Sequence, residues 1–90
     1  MQDKFEESKQ LLKNALANVV KKHRKKQKKS LSKISAEIMM TKSMWQTLEK
    51  GKKDPQYSTI WRVAQALNLT VEDLSKEVTQ LLGDDFSLID

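Results

Sequence analysis

From Ser30 to Gly51 the chain reads Ser-Leu-Ser-Lys-Ile-Ser-Ala-Glu-Ile-Met-Met-Thr-Lys-Ser-Met-Trp-Gln-Thr-Leu-Glu-Lys-Gly, and this stretch decides the fold. Ser30 fits an N-cap, because its hydroxyl can accept from the free backbone N–H groups that open a helix over about Leu31 to Ile38. Ile34 and Ile38, four apart, face the core together, and Ser35 is small enough for close approach by another helix. Thr41 is the next cap, opening a helix from Lys42 to about Lys50 with Trp45 and Leu48 inward. Gly51 sits just past its end, where a left-handed residue is favoured. Two short helices joined by three or four residues form the centre of the reading.

Upstream, Leu12, Leu16, Val19, Val20 and His23 recur at three- and four-residue spacing on one stripe, so a first helix is expected from about Asp3 to Gln27. Gln27 extends that uncharged stripe, and every lysine of the run Lys21-Lys22-His23-Arg24-Lys25-Lys26-Gln27-Lys28-Lys29 falls off it. Downstream, Lys52-Lys53-Asp54-Pro55-Gln56 reads as a loop, since Pro55 cannot continue a helix. Ser58 is the expected cap of a fourth helix with Ile60, Val63, Ala64 and Leu67 inward. Thr70, with Asp73 three residues on, resembles a capping box opening a fifth helix through about Leu82. There Val71, Leu74, Val78 and Leu81 are expected inward, and Gly83 ends the helix. Tyr57 and Trp61 are expected at least partly exposed, at an interface or over the core edge.

Composition agrees. Ninety residues make one domain. Two glycines and one proline leave too little turn material for an all-β sandwich. No cysteine and one histidine exclude disulfides and a thiol nucleophile and speak against a zinc site. His23 reads as a helix-packing residue. Met39, Met40 and Met44 read as packing or apolar contacts rather than a cofactor box. No phosphate-cradling glycine loop and no persuasive carboxylate pair is present, so no catalytic residue and no cofactor is expected. No apolar run can span a membrane, and the start Met1-Gln2-Asp3-Lys4 has no apolar segment of a signal peptide.

The net charge of +5 hides an asymmetry. Residues 21–53 carry twelve basic residues against Glu37 and Glu49, whereas residues 71–90 hold six acids and only Lys76. The basic stretch is the electrostatic footprint of a polyanion binder. By charge alone a solvated lysine face, a localisation signal or an anionic-membrane patch remain open. The membrane reading is demoted because the opposite helix face is needed for the core.

At this point the sequence resembles the phage-repressor-like (Cro/XRE) helix-turn-helix family. The resemblance covers about Leu16 to Leu74 and is most specific at Leu48-Glu49-Lys50-Gly51-Lys52-Lys53-Asp54-Pro55, followed by Ile60, Ala64 and Leu67-Asn68. It implies an all-α, five-helix lambda-repressor-like domain. Residues 1–15 would be an N-terminal helical extension, 16–82 the DNA-binding domain and 83–90 a short acidic tail. It further implies that the third helix enters the major groove of double-stranded DNA and that Arg24 pairs with Glu49 in a structural role. Three positions depart from the family pattern. Met39 stands where the turn usually has Gly, at a cost of about 1–2 kcal/mol if held left-handed, so an irregular turn is expected. Trp45 replaces an Ile or Val, and Ser35 replaces an Ala, putting the angle between the two helices in question.

Given that implied docking, Lys42, Ser43, Met44, Gln46 and Thr47 are the candidates for reading base edges. Gln can pair with an adenine edge, Lys can reach guanine, and Met or a Thr methyl can touch thymine. Ser30, Lys50, Lys52 and Lys53 are the candidates for the phosphates. The expected function is a sequence-specific transcriptional regulator, a repressor by preference, in a prokaryotic or phage cytoplasm. It would act as a homodimer on an inverted repeat, with the extension before Leu12 and Phe86, Leu88 and Ile89 of the tail as dimer elements. The alternative is an antitoxin-like protein-interaction module that uses the acidic C-terminal region for a protein partner. A third reading is a non-specific nucleic-acid coat.

Overall fold

The structure is a computed structural model describing residues 3–89; the first two residues of the N-terminal extension and the last of the tail lie outside it. Five helices follow one another: α1 (Lys4–Lys26), α2 (Leu31–Glu37), α3 (Lys42–Glu49), α4 (Tyr57–Ala66) and α5 (Val71–Leu82). No strand occurs among the described residues, so the fold is all-α. The long α1 runs without a break across residue 15 and packs against both α3 and α5.

The helix starts follow local chemistry. Ser30, Thr41 and Thr70 each accept, through the side-chain hydroxyl, the backbone N–H three residues on, at 2.9–3.0 Å. Asp3 does the same two residues on for α1. The fourth start differs from the expectation. Gln56 O accepts the first intrahelical bond, from Ile60 N, so Ser58 already lies inside the first turn and caps nothing.

The helix ends share one device. After α1, α2, α3 and α4 the next residue but one is left-handed: Lys28, Met39, Gly51 and Asn68, with φ between +56° and +72°. Each time the following residue's N–H reaches back five positions, as in Met40 N to Ser35 O at 2.9 Å and Leu69 N to Ala64 O at 2.9 Å. The α2–α3 turn is therefore regular, not irregular: the motif closes in full around Met39. Because Met39 is 93% exposed, it makes little contact that offsets its left-handed backbone. Met39→Gly is expected to stabilise the domain by about 1 kcal/mol. A urea midpoint that rises at unchanged slope checks this, and a lower midpoint contradicts it.

The core gathers Val19 and Val20 of α1, Ile34 of α2, Trp45 and Leu48 of α3, Val63, Ala64 and Leu67 at α4, and Leu74 of α5. Trp45 is wholly buried at its centre. Ser35 is buried too, and its hydroxyl donates to Leu31 O at 2.7 Å, so the polar atom is satisfied within α2. Leu12, Ile38, Ile60 and Val71 pack as partly buried residues at the margin. Leu81 is a correction, being 59% exposed. The inward stripe of α5 runs Leu74, Val78, Leu82 at four-residue steps, which turns Leu81 out to one side.

The basic run is also more engaged than its lysine count suggests. Lys22 and His23 both bond the carboxylate of Glu77, His23 at 2.6 Å, and clasp α1 to α5. Lys22 first, and His23 with it, holds the Glu77 carboxyl below its ordinary range. Lys29 is not on the solvent side: its ammonium donates to Ala66 O at 3.1 Å and to Glu37 at 3.0 Å. Gln27 donates to Leu67 O at 2.6 Å. The bonds to Ala66 O and Leu67 O satisfy carbonyls at the end of α4, which an uncapped helix terminus would leave open.

Candidate nucleic-acid interface

The position of α3 is set from its buried side. Trp45 and Leu48 enter the core, and the spacing of a helix then turns Lys42, Ser43, Met44 and Gln46 outward, where all four are exposed. Thr47 is half-buried, and its hydroxyl donates to Ser43 O at 2.8 Å, leaving its methyl as the outer group. Met44 is 42% exposed and lines a hollow of about 360 Å³ with Lys53, Gln56 and Thr59.

The C-terminal end of α3 is fastened to α1. Arg24 Nε donates to Glu49 Oε2 at 2.5 Å and a terminal guanidinium nitrogen donates to Oε1 at 2.9 Å, a two-pronged pair. The third nitrogen of the same guanidinium donates to Lys29 O at 2.9 Å. Trp45 Nε1 adds a third bond to the Glu49 carboxylate, at 2.6 Å. Both charged side chains are about nine-tenths buried, at 12% and 7% exposure. Glu49 holds the Arg24 guanidinium more firmly charged than usual, through its hydrogen bonds and proximity. Trp45 is thus both the central core plug and a donor to the clasp. The i, i+4 relation of Trp45 and Glu49 was the signal in the sequence that could have revealed it.

Around this helix the candidate phosphate ligands fall on separate elements. Ser30 is exposed at the start of α2, with its hydroxyl oxygen engaged by Lys33 N and its proton free to point outward. Lys50 ends α3, while Lys52 and Lys53 lie on the α3–α4 loop, all three exposed. Lys42, Lys50, Lys52 and Lys53 make no ion pair among the described residues.

Two residues that the sequence reading did not single out also shape this face. Arg62 of α4 donates to Ile38 O and so fixes the α2–α3 turn from below. Lys33 adds an exposed cation in the first turn of α2. Among the described residues there is no group of metal-ligating side chains, and no helix is long and apolar enough to cross a membrane.

The sequence model of the family described as Helix-turn-helix (HTH_3) matches residues 20–74. Among solved structures, the chain is similar to the clp gene regulator ClgR from C. glutamicum, with a TM-score of 0.74 and 21% identity. That match covers 80% of this chain and 94% of the other, and it speaks to the fold. The chain is also similar to an HTH_3 family transcriptional regulator from Vibrio cholerae, with a TM-score of 0.73 and 27% identity. There 91% of this chain is covered but only 46% of the other, so this chain spans less than half of that protein's length. No curated protein matches the sequence.

Proposed function

The chain belongs to the HTH_3 helix-turn-helix family, and from that premise we propose that it is a transcriptional regulator binding double-stranded DNA sequence-specifically, as a repressor. The observation that carries this reading is the outer face of α3. A short helix held rigidly at its buried side presents Lys42, Ser43, Met44 and Gln46, with the Thr47 methyl, and none of the cations there is neutralised. Such a helix fits the major groove, where these side chains meet base edges.

Ser30, Lys50, Lys52 and Lys53 take the backbone phosphates on either side. The division of labour follows from chemistry: cations on the flanking loop release counterions whatever the sequence, while Gln46 and its neighbours discriminate bases. Two copies on an inverted repeat supply the specificity that one short helix lacks. Leu11, Leu81, Leu88 and Ile89 are exposed apolar groups on α1, α5 and the tail available for that pairing. The setting is a prokaryotic or phage cytoplasm. The partner-binding alternative draws on the acidic residues after Thr70, where Glu72, Asp73, Asp84 and Asp85 are exposed.

Binding to one duplex over a range of salt concentrations tests the phosphate assignment. Lys52→Ala combined with Lys53→Ala is expected to weaken binding to all duplexes alike. It should also flatten the slope of log affinity against log salt by roughly 2, about one per phosphate released. An unchanged slope removes these two lysines from the interface.

A further inference from the structure

The buried stripe of α1 begins at Ala15; before it, among the described residues, only Leu12 packs on the core as a partly buried apolar residue. The preceding turns are nonetheless tied to one place, the loop between α3 and α4. Gln10 Nε2 donates to Gly51 O at 2.9 Å and to Asn14 Oδ1 at 2.9 Å. Gly51 lies so close to α1 that a Cβ built on it would stand 2.4 Å from Asn14 Oδ1. Three residues on, Asp54 faces Lys9 Nζ at 3.7 Å. Gly51 and Asp54 bracket Lys52 and Lys53.

We infer that Gln10 and Asn14, with Lys9, are positioning residues that hold the Lys52–Lys53 loop in its phosphate-binding arrangement. The inference rests on the DNA-binding reading above and assigns a role to the N-terminal part of α1. Geometry supplies the first half of the mechanism. The Gly51 carbonyl belongs to the peptide plane that leads into Lys52, so the bond from Gln10 sets the direction in which the loop leaves α3. Lys52 N donates to Thr47 O at 3.3 Å, a long bond at the helix end that does not by itself hold the loop. Left-handed Gly51, with φ +72°, lets the chain pass beside Asn14. A Cβ there would displace the Asn14 amide oxygen, the acceptor of the second Gln10 bond.

Charge supplies the second half. Asp54 stands beside two lysines that are to meet phosphates, and its negative charge opposes theirs. Lys9 sits opposite Asp54 and offsets it, so the loop presents a net positive face. Asp54 is 58% exposed, so this effect is modest and screened by salt. The amide bond from Gln10 is the stronger of the two ties.

Gln10→Met tests the inference, because it keeps length and helix propensity while deleting the donor. The first readout is amide hydrogen exchange in the free protein, where the Gly51 and Lys52 amides are expected to exchange faster while those of Val19 and Val20 are unchanged. The second is duplex affinity, expected to fall about threefold to tenfold on every sequence, within the range over which neighbours in one network couple. In the Lys52→Ala, Lys53→Ala background the same substitution should change affinity less than twofold, since the groups it positions are gone. Unchanged exchange at Gly51 and Lys52, or an equal loss of affinity in both backgrounds, overturns the inference while leaving DNA binding standing. Absence of duplex binding by the unaltered protein at any salt overturns the DNA-binding reading instead, and the inference with it. Asn14→Ala, which also widens the space at Gly51, should reproduce the exchange result; protection equal to that of the unaltered protein counts against it.

Discussion

Glu49→Ala is expected to destabilise the domain by about 3–5 kcal/mol, the range seen when one partner of a buried ion pair is removed. The carboxylate accepts from Arg24 twice and from the Trp45 indole once. Its loss leaves a guanidinium with 12% exposure holding only its bond to Lys29 O, and an indole N–H without a partner. Net stabilities of small domains are only about 5–15 kcal/mol, so the variant should unfold at far lower urea than the unaltered protein. Replacing both charges, as in Arg24→Met with Glu49→Leu, should cost much less than either single loss, since no buried charge is then stranded. Urea unfolding of the three variants measures this. A single substitution costing under about 1 kcal/mol would mean that water reaches the pair and that it does not hold α3.

Trp45→Ala is expected to cost a similar amount, about 3–5 kcal/mol, by a different route. Trp45 is the largest fully buried side chain and touches the centre of the core, so truncation opens a cavity that its neighbours fill only in part. Trp45→Phe separates the two contributions. It retains most of the ring and deletes the bond to Glu49, whose Oε2 still accepts from Arg24, so its cost should be about 1–3 kcal/mol, from the lost hydrogen bond to a charged group plus lost volume. Because Trp45 and Glu49 are bonded, the costs of Trp45→Phe and Glu49→Ala should not add; the double variant should fall short of the sum by about 0.5–3 kcal/mol. Strict additivity would show that the indole bond contributes nothing in solution.

These two residues also show how far the sequence could be read. The caps at Ser30, Thr41 and Thr70 were legible because capping depends on one hydroxyl and the next three residues. The left-handed end at Gly51 was legible for the same reason, since glycine announces the conformation. Lys28 takes the same conformation with nothing in its chemistry to announce it. Ser58 misled, because a serine near a proline loop is a good cap by type, yet the chain enters α4 two residues earlier. Leu81 misled because Leu81 and Leu82 both fit a helical stripe, and only the crossing of α5 over α1 decides which faces in.

Long-range polar pairings were the least legible. Gln10 with Gly51 spans 41 residues and His23 with Glu77 spans 54, and no local pattern selects such partners. The charge count made the middle of the chain basic, but did not show that Lys22, Arg24 and Lys29 are each paired with a carboxylate of a later helix. Within residues 21–53, the exposed cations without an ion pair among the described residues are then Lys42, Lys50, Lys52 and Lys53 at and after α3, Lys33 on α2, and Lys21, Lys25, Lys26 and Lys28 at the end of α1.

Selection from a random duplex pool at near-physiological salt decides whether the outer face of α3 reads a DNA sequence. The expected result is enrichment of an inverted repeat with half-sites about one helical turn apart, and loss of preference at one half-site position in Gln46→Ala. A pool that enriches no motif, with weak binding that disappears as salt rises, would contradict it and leave the basic face as a purely electrostatic surface.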